Sequence, residues 1–192
     1  MSNKLIIISG PSGVGKTTIG KRLLEDPQIR SRVKKVPTHT TRPPRPGEVD
    51  GEDYLFVTKT EFAMELSSGN FLEWVEIFGN FYGTSRREVE KIWKEGKIPL
   101  LIIDVRGAKY IKSLYPDNTI TIFILPPSQE ELRNRLSQRS GITIEELNLR
   151  LGIAQEEIQE AKHYDYVVVN DRLERAVEEV KQIIKRVLEK ED

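Results

Sequence analysis

The chain has 192 residues and a mass of 22.1 kDa, enough for one domain with a mobile insert. Thirty basic and thirty acidic residues balance to a net charge of zero, which excludes a basic tail for nucleic acid and an acidic solvating tail. The absence of cysteine excludes a disulfide framework, a thiolate metal site and a thiol nucleophile, and two histidines are too few for a zinc cage.

Met1-Ser2-Asn3-Lys4 runs straight into Leu5-Ile6-Ile7-Ile8. That apolar run is too short for a signal sequence or a membrane span, so a cytosolic protein with no membrane partner is expected. The run continues into Gly10-Pro11-Ser12-Gly13-Val14-Gly15-Lys16-Thr17, which fits G-x-x-x-x-G-K-[ST] at every fixed position. It follows a predicted strand over 5–9 and precedes a predicted helix over 18–25, the context this loop requires. The glycines let backbone N–H groups point at phosphate oxygens, and the helix N-terminus adds partial positive charge. Lys16 supplies a point charge for the β- and γ-phosphates, and Thr17 a hydroxyl for Mg²⁺. A plain glycine turn is the alternative, and the complete motif in its proper context argues against it. The chain is therefore expected to bind a nucleoside triphosphate.

From Thr38 to Tyr82 the sequence becomes rich in Pro and Gly, with short aromatic segments and one helix predicted near Lys59–Ser67. This reads as a small inserted lobe. Within it, Arg42 and Arg45 lie three apart in a proline-stiffened loop ahead of Tyr54. Two guanidinium forks and a phenol suit a phosphate monoester, although two lone arginines can equally be a solvated turn. Further on, buried strands are predicted over 100–103, 120–125 and 166–169 from their Ile, Val and Leu content. A helix beginning near Ser128 carries Arg135 and Arg139 on one face, and 140–143 breaks it. Leu147, Leu151, Ala154, Ile158 and Ala161 form the apolar stripe of the next helix, with Arg150 off that stripe. The last helix carries an apolar face from Leu173 to Leu188, with Asp171 and Glu174 as a candidate cap. Strands alternating with helices predict an α/β fold with a parallel sheet between two helical layers.

Thr40-Thr41-Arg42-Pro43-Pro44-Arg45-Pro46-Gly47-Glu48 followed by Gly51-Glu52-Asp53-Tyr54-Leu55-Phe56 resembles the pattern of guanylate kinases, and the resemblance spans nearly the whole chain. It extends through Phe71-Leu72-Glu73-Trp74, Asn80-Phe81-Tyr82-Gly83-Thr84, the 101–108 segment, the arginines of 132–151 and Val168-Val169-Asn170-Asp171. The resemblance implies a P-loop three-layer sandwich with a parallel core sheet, an inserted mixed α/β GMP-binding lobe and a helical lid. It divides the chain into a core (1–37, 83–127 and 164–192), a GMP lobe (38–82) and a lid region (128–163). It implies ATP as donor, Mg²⁺ as metal, and GMP or dGMP as acceptor. Residues Gly10 to Thr18 with Asn170 would bind ATP, and Thr17 would meet the metal. Arg42, Arg45, Tyr54 and Tyr82 would hold the GMP phosphate. Glu73, Asp104, Thr84 and Thr38 would read guanine, whose N1 and N2 donate and whose O6 accepts. Lys16, Arg42, Arg135, Arg139 and Arg150 would neutralise the transferring phosphoryl group.

Two positions depart from that pattern. Ile102 stands where the family usually has an acidic residue, and Arg106 where it usually has Gln. One carboxylate is thus missing near the expected metal, and one cation is added. Two other readings stay open at this point: a P-loop kinase for another phosphorylated acceptor, and a non-catalytic interaction module of the same fold.

Overall fold

The structure, a computed structural model, describes residues 3–138 and 142–189. The first strand, β1 (Leu5–Ser9), is fully buried, and its side chains alternate between two cores. Ile6 and Ile8 pack into one hydrophobic cluster, while Leu5 and Ile7 pack into the other. A strand that is apolar on both faces must lie between two layers, so β1 becomes the centre of a five-stranded parallel sheet. Its other strands are β2 (Val33–Lys35), β7 (Ile98–Ile102), β8 (Thr119–Leu125) and β9 (Tyr166–Val169), in the order β2-β7-β1-β8-β9.

Helices α1 (Lys16–Leu23), α2 (Pro27–Arg32) and α8 (Leu173–Glu189) contribute Ile19, Leu23, Ile29 and the buried stripe of α8 to the first cluster. Helices α4 (Arg86–Lys94) and α5 (Val105–Leu114) supply Val89, Ile92, Ala108 and Ile111 to the second. Three layers result, as the alternating pattern predicts. Helix α1 starts at Lys16, two residues before the predicted start, because Gly15 takes a left-handed φ of 92° and ends the loop there. The Asp171–Glu174 cap takes another form: Asp171 accepts from the Arg172 backbone N–H at 2.8 Å and from the Arg175 guanidinium at 3.0 Å.

The inserted segment builds a second, four-stranded sheet of β3 (Thr38–Thr40), β4 (Tyr54–Phe56), β5 (Phe71–Ile77) and β6 (Asn80–Ser85), in the order β4-β3-β6-β5. Helix α3 (Lys59–Ser67) lies where it is predicted, opened by a capping box between Thr58 and Glu61. Strands β5 and β6 form a hairpin, and both Phe78 (φ 50°) and Gly79 (φ 72°) at its turn take positive φ. The ladder slips by one residue between Phe71 and Glu73. This bulge sends Phe71 onto Phe62, with ring centroids 4.4 Å apart, while Glu73, Val75 and Ile77 face the opposite way.

Two further helices, α6 (Gln129–Ser137) and α7 (Ile144–Gln159), pack together beyond β8. Ser128 caps the start of the first and Thr143 the start of the second, so the far end of the predicted break is set by a side-chain oxygen. Arg139, Ser140 and Gly141 lie outside the described residues. Among the described residues no helix is long and apolar enough to cross a membrane.

Candidate active site

The C-terminal ends of the parallel strands open into a cleft of about 370 Å³, bounded by the loop after β1, the second sheet and α7. Its lining includes Gly10, Ser12, Gly13, Gly15, Lys16, Thr17 and Thr18. Gly10, Gly13 and Gly15 take φ of 136°, 91° and 92°, which curls the loop around its own centre. The Lys16 ammonium donates to the carbonyls of Gly10 at 2.6 Å and Pro11 at 2.9 Å, which places its charge over the hollow of the loop.

Pro11, Val14 and Asn170 do not line the cleft. Val14 is buried in the core, and Asn170 is 5 % exposed. The Asn170 side-chain amide donates to the Val14 carbonyl at 2.7 Å, and the Asn170 backbone carbonyl accepts from Arg135 at 3.1 Å. A Cβ on Gly15 would stand 2.7 Å from the Asn170 amide nitrogen. Asn170 therefore braces the loop from behind and joins it to α6 through Arg135.

The second sheet supplies the opposite wall. Arg42 is held by Glu48 at 2.9 Å and the Pro43 carbonyl at 2.6 Å, with the Tyr54 and Phe56 rings 5.3 and 5.8 Å from its guanidinium carbon. Burial works against its charge, but Glu48 and Tyr82 together outweigh it and raise its pKa. Tyr54 and Tyr82 stand edge to face at 6.3 Å, and burial pushes the Tyr54 phenol up. Arg45 is exposed at the rim.

Thr38, Glu73 and Asp104 meet deeper in the cleft. Glu73 is 5 % exposed and accepts from the Thr84 hydroxyl at 2.5 Å. Burial, with the nearby Asp104 charge, raises its pKa to about 7 against the pull of Thr84. Thr84 itself is buried behind Glu73 and outside the cleft lining, so it acts on the site through that carboxylate. Asp104 caps α5, accepting from the Gly107 backbone N–H at 2.8 Å and from Arg106 at 3.1 Å. A Cβ on Gly107 would lie 2.5 Å from Glu73, so glycine is what lets α5 approach that carboxylate. Arg106 reaches on to the Glu76 carbonyl at 2.8 Å, tying α5 to β5.

Helices α6 and α7 provide the roof. Arg135 pairs with Glu131 at 2.8 Å. Arg150 pairs with Glu146 at 2.6 Å, and its guanidinium carbon sits 4.0 Å from the centre of the Phe78 ring. Arg150, Ile153 and Glu157 all line the cleft from one face of α7. Burial raises the Glu157 pKa to about 7, opposed by the charge of Lys16. Sequence reasoning passes over Phe78 and Glu157. The signal for Glu157 is present nonetheless: Glu146, Arg150, Ile153 and Glu157 are spaced 4, 3, 4, beside the apolar stripe. Among the described residues no three His, Cys, Asp or Glu side chains gather closely enough to hold a metal ion by themselves.

The family profile described as guanylate kinase matches residues 2–187. The guanylate kinase of Symbiobacterium thermophilum is 48 % identical over 181 residues, 94 % of this chain and 83 % of that protein. That of Geobacter metallireducens is 45 % identical, covering 94 % of this chain and 87 % of its own. Among solved structures, the crystal structure of guanylate kinase from Anaplasma phagocytophilum superposes with a TM-score of 0.77. It is 35 % identical, covering 95 % of this chain and 85 % of that one.

Proposed function

Since the chain belongs to the guanylate kinase family, we propose that its cleft joins ATP and GMP end to end, with the phosphate loop holding the donor and the second sheet the acceptor. The activity is ATP-dependent phosphorylation of GMP, giving GDP and ADP. The γ-phosphoryl bond to the ADP oxygen breaks, ADP leaves with the electron pair, and a GMP phosphate oxygen forms the new bond. The acceptor phosphate is already ionised at neutral pH, so no general base is required. Catalysis rests on positioning, electrostatics and exclusion of water.

The observation that carries the acceptor assignment is Glu73. It is a buried carboxylate, paired with a hydroxyl and facing a cleft that also holds phosphate-binding cations. Guanine offers N–H donors at N1 and N2 to such a group, whereas adenine offers an acceptor at N1. A different phosphorylated acceptor such as a sugar phosphate gives Glu73 no role. The intact phosphate loop with Lys16 and Thr17 speaks against a non-catalytic module.

We assign Thr38, Glu73, Asp104 and, through Glu73, Thr84 to guanine. Arg42, Arg45, Tyr54 and Tyr82 take the GMP phosphate. Lys16, Arg42, Arg135, Arg139 and Arg150 follow the moving charge, although Arg139 lies outside the described residues. Gly10 to Thr18 contact ATP, with Pro11, Val14 and Asn170 acting through the loop's shape. The lobe (38–82) and lid region (128–163) close on a core made of the rest. Nothing on this list contacts the sugar 2′ position by assignment, so dGMP is expected to serve as well.

Mg²⁺ fits the donor set. The Thr17 hydroxyl and the Asp104 and Glu157 carboxylates line one cleft, and a magnesium ion typically takes few protein oxygens beside phosphate and water. When bound it would neutralise phosphate charge, with Thr17 as its protein ligand. A cytosolic setting, where both nucleotides are available, completes the reading.

A coupled assay offering GMP, dGMP, AMP, CMP and UMP with ATP tests it. GMP and dGMP are expected to turn over, with AMP poorer by about 10⁴-fold because it would leave buried groups unpaired. Comparable turnover of AMP overturns the guanine assignment.

A further inference from the structure

We propose that Glu157 is a positioning residue of the transfer: carried by α7 into the phosphate end of the cleft, its carboxylate holds the water shell of the magnesium ion. The inference rests on the phosphoryl-transfer reading above and deepens it at one side chain of the cleft.

Among the described residues three acidic side chains line the cleft: Glu73, Asp104 and Glu157. Glu73 is engaged with Thr84, on the guanine side. Asp104 is engaged with the Gly107 amide and Arg106. Glu157 accepts no hydrogen bond from any described residue, yet it is half-buried and lies within electrostatic range of Lys16, Asp104 and Arg106. Among the described residues it is therefore the one lining carboxylate that accepts no hydrogen bond, and it lies at the end where Lys16 marks the triphosphate.

The placement follows from the register of α7. Arg150 is fixed at two points, on Glu146 and over the Phe78 ring. Seven residues further, on the same helix face, stands Glu157. Ile153 between them also lines the cleft. The Arg150 anchor thus sets how far Glu157 reaches toward the loop.

Ile102 cannot supply the charge. It lines the cleft but packs against the first hydrophobic cluster, and its terminal methyl fills the space where Gly20 of α1 lacks a side chain. A carboxylate facing phosphates across a half-buried cleft is repelled unless a cation or its water intervenes. Magnesium keeps several waters and is held by few protein oxygens, so one additional acceptor at this spot suits it. Outer acceptors of this kind are commonly worth about 10- to 100-fold in metal affinity.

The test measures binding without turnover. A non-hydrolysable ATP analogue is titrated calorimetrically into the full chain saturated with GMP, with magnesium or with EDTA, for wild type, Glu157→Gln and Glu157→Asp. For wild type, magnesium tightens the analogue. For Glu157→Gln, that tightening is expected to shrink by about tenfold or more, while affinity in EDTA is equal or higher because a repelling charge is gone. Glu157→Asp, which keeps the charge, recovers most of the magnesium effect. A loose lid would instead weaken binding in both solutions. That outcome, or an unchanged magnesium effect in Glu157→Gln, overturns the proposal. If the wild type shows no phosphoryl transfer to GMP, the underlying reading fails instead.

Discussion

In the reading proposed above, the two ends of the cleft would hold phosphate esters by different means. At the donor end the ligand would meet backbone: a loop curled by Gly10, Gly13 and Gly15, the first turn of α1, and a single lysine. At the acceptor end it would meet side chains gathered from β3, β4, β5, β6 and the start of α5, several of them already engaged with a neighbour. Arg42 is held by Glu48, Glu73 by Thr84, and Asp104 by Gly107 and Arg106. A backbone site is fixed by the fold and reads any triphosphate. A side-chain site must be pre-paired to stay in place, and it can discriminate one base from another.

The largest effect should come from the donor end. Replacing Lys16 by Ala removes the one side-chain charge of the loop, and kcat should fall by about 10³-fold with GMP affinity little changed. Circular dichroism should stay native, because the loop's shape is set by its glycines and by Asn170. Near-normal turnover in the folded variant would remove Lys16 from the transfer.

At the acceptor end the loss should be selective. Glu73→Gln should weaken GMP by about 1.5–3 kcal/mol while ATP binds as before. Equal weakening of both nucleotides would abolish the contrast between the two ends. The pH dependence sharpens the test. In the folded, ligand-free protein Glu73 titrates at about 7 rather than 4.5, so it retains a proton that the unfolded chain has lost. Its contribution to stability is therefore complete below 4.5 and is lost as pH rises toward 7. Glu73→Gln should show a smaller loss than wild type in thermal melts between pH 5 and 8, the part due to Glu157 remaining. GMP affinity should run the other way, strengthening more in wild type than in the variant, because both gain from the second ionisation of the GMP phosphate near pH ~6 but only wild type gains from the carboxylate.

How far the two ends were legible follows the same contrast. The phosphate loop is eight consecutive residues flanked by a predictable strand and helix, so its sequence spells out its geometry. Most of the core sheet was equally open, since apolar runs such as 5–8 and 120–125 have no other place to go. The three-residue β2 was not, because two of its residues are lysines that give no burial signal. At the acceptor end, position along the chain says little about direction. Strict alternation puts Phe71 and Glu73 on one face, and only the bulge between them separates the aromatic cluster from the cleft. Family likeness supplied the residue set; local pattern could not have supplied the pairings. Glu157 had the right spacing, but a charged residue beside an apolar stripe also describes an ordinary solvated helix edge. Its place in the cleft lining, half-buried and within electrostatic range of Lys16, decides between the two.

A smaller effect is expected where the two ends are joined. Asp53, 2 % exposed, accepts from Lys21 of α1 at 2.5 Å and from the Val49 backbone N–H at 2.9 Å. It immediately precedes Tyr54, so this ion pair links the helix of the donor loop to the strand that carries an acceptor ligand. Asp53→Asn should cost about 1.5–3 kcal/mol of stability in denaturant titration, since a buried charge-assisted bond is lost. It should raise the GMP KM more than the ATP KM, because Tyr54 moves with it. A variant as stable as wild type with unchanged KM values would mean that the two ends are positioned independently.

The smallest effect should come from the roof. Phe78 belongs to the acceptor sheet and Arg150 to α7, and their contact at 4.0 Å is where the lid side of the cleft touches the acceptor side. An arginine over a ring that is only partly buried, as Phe78 is, contributes about 0.5–1 kcal/mol, which is roughly a two- to fivefold effect. Phe78→Ala should therefore raise the KM for GMP by about that factor and leave kcat nearly intact, because Arg150 keeps its Glu146 partner and its charge. The residue's positive φ of 50° is retained by any non-glycine replacement, so the turn is strained equally before and after. Phe78→Trp preserves an aromatic face and should behave as wild type or slightly better. If Trp is as poor as Ala, the contact is a matter of shape rather than of the ring's electrostatic face. If Ala lowers kcat to the level of the Lys16 variant, then closure of the roof, and not charge at the donor loop, is what limits transfer.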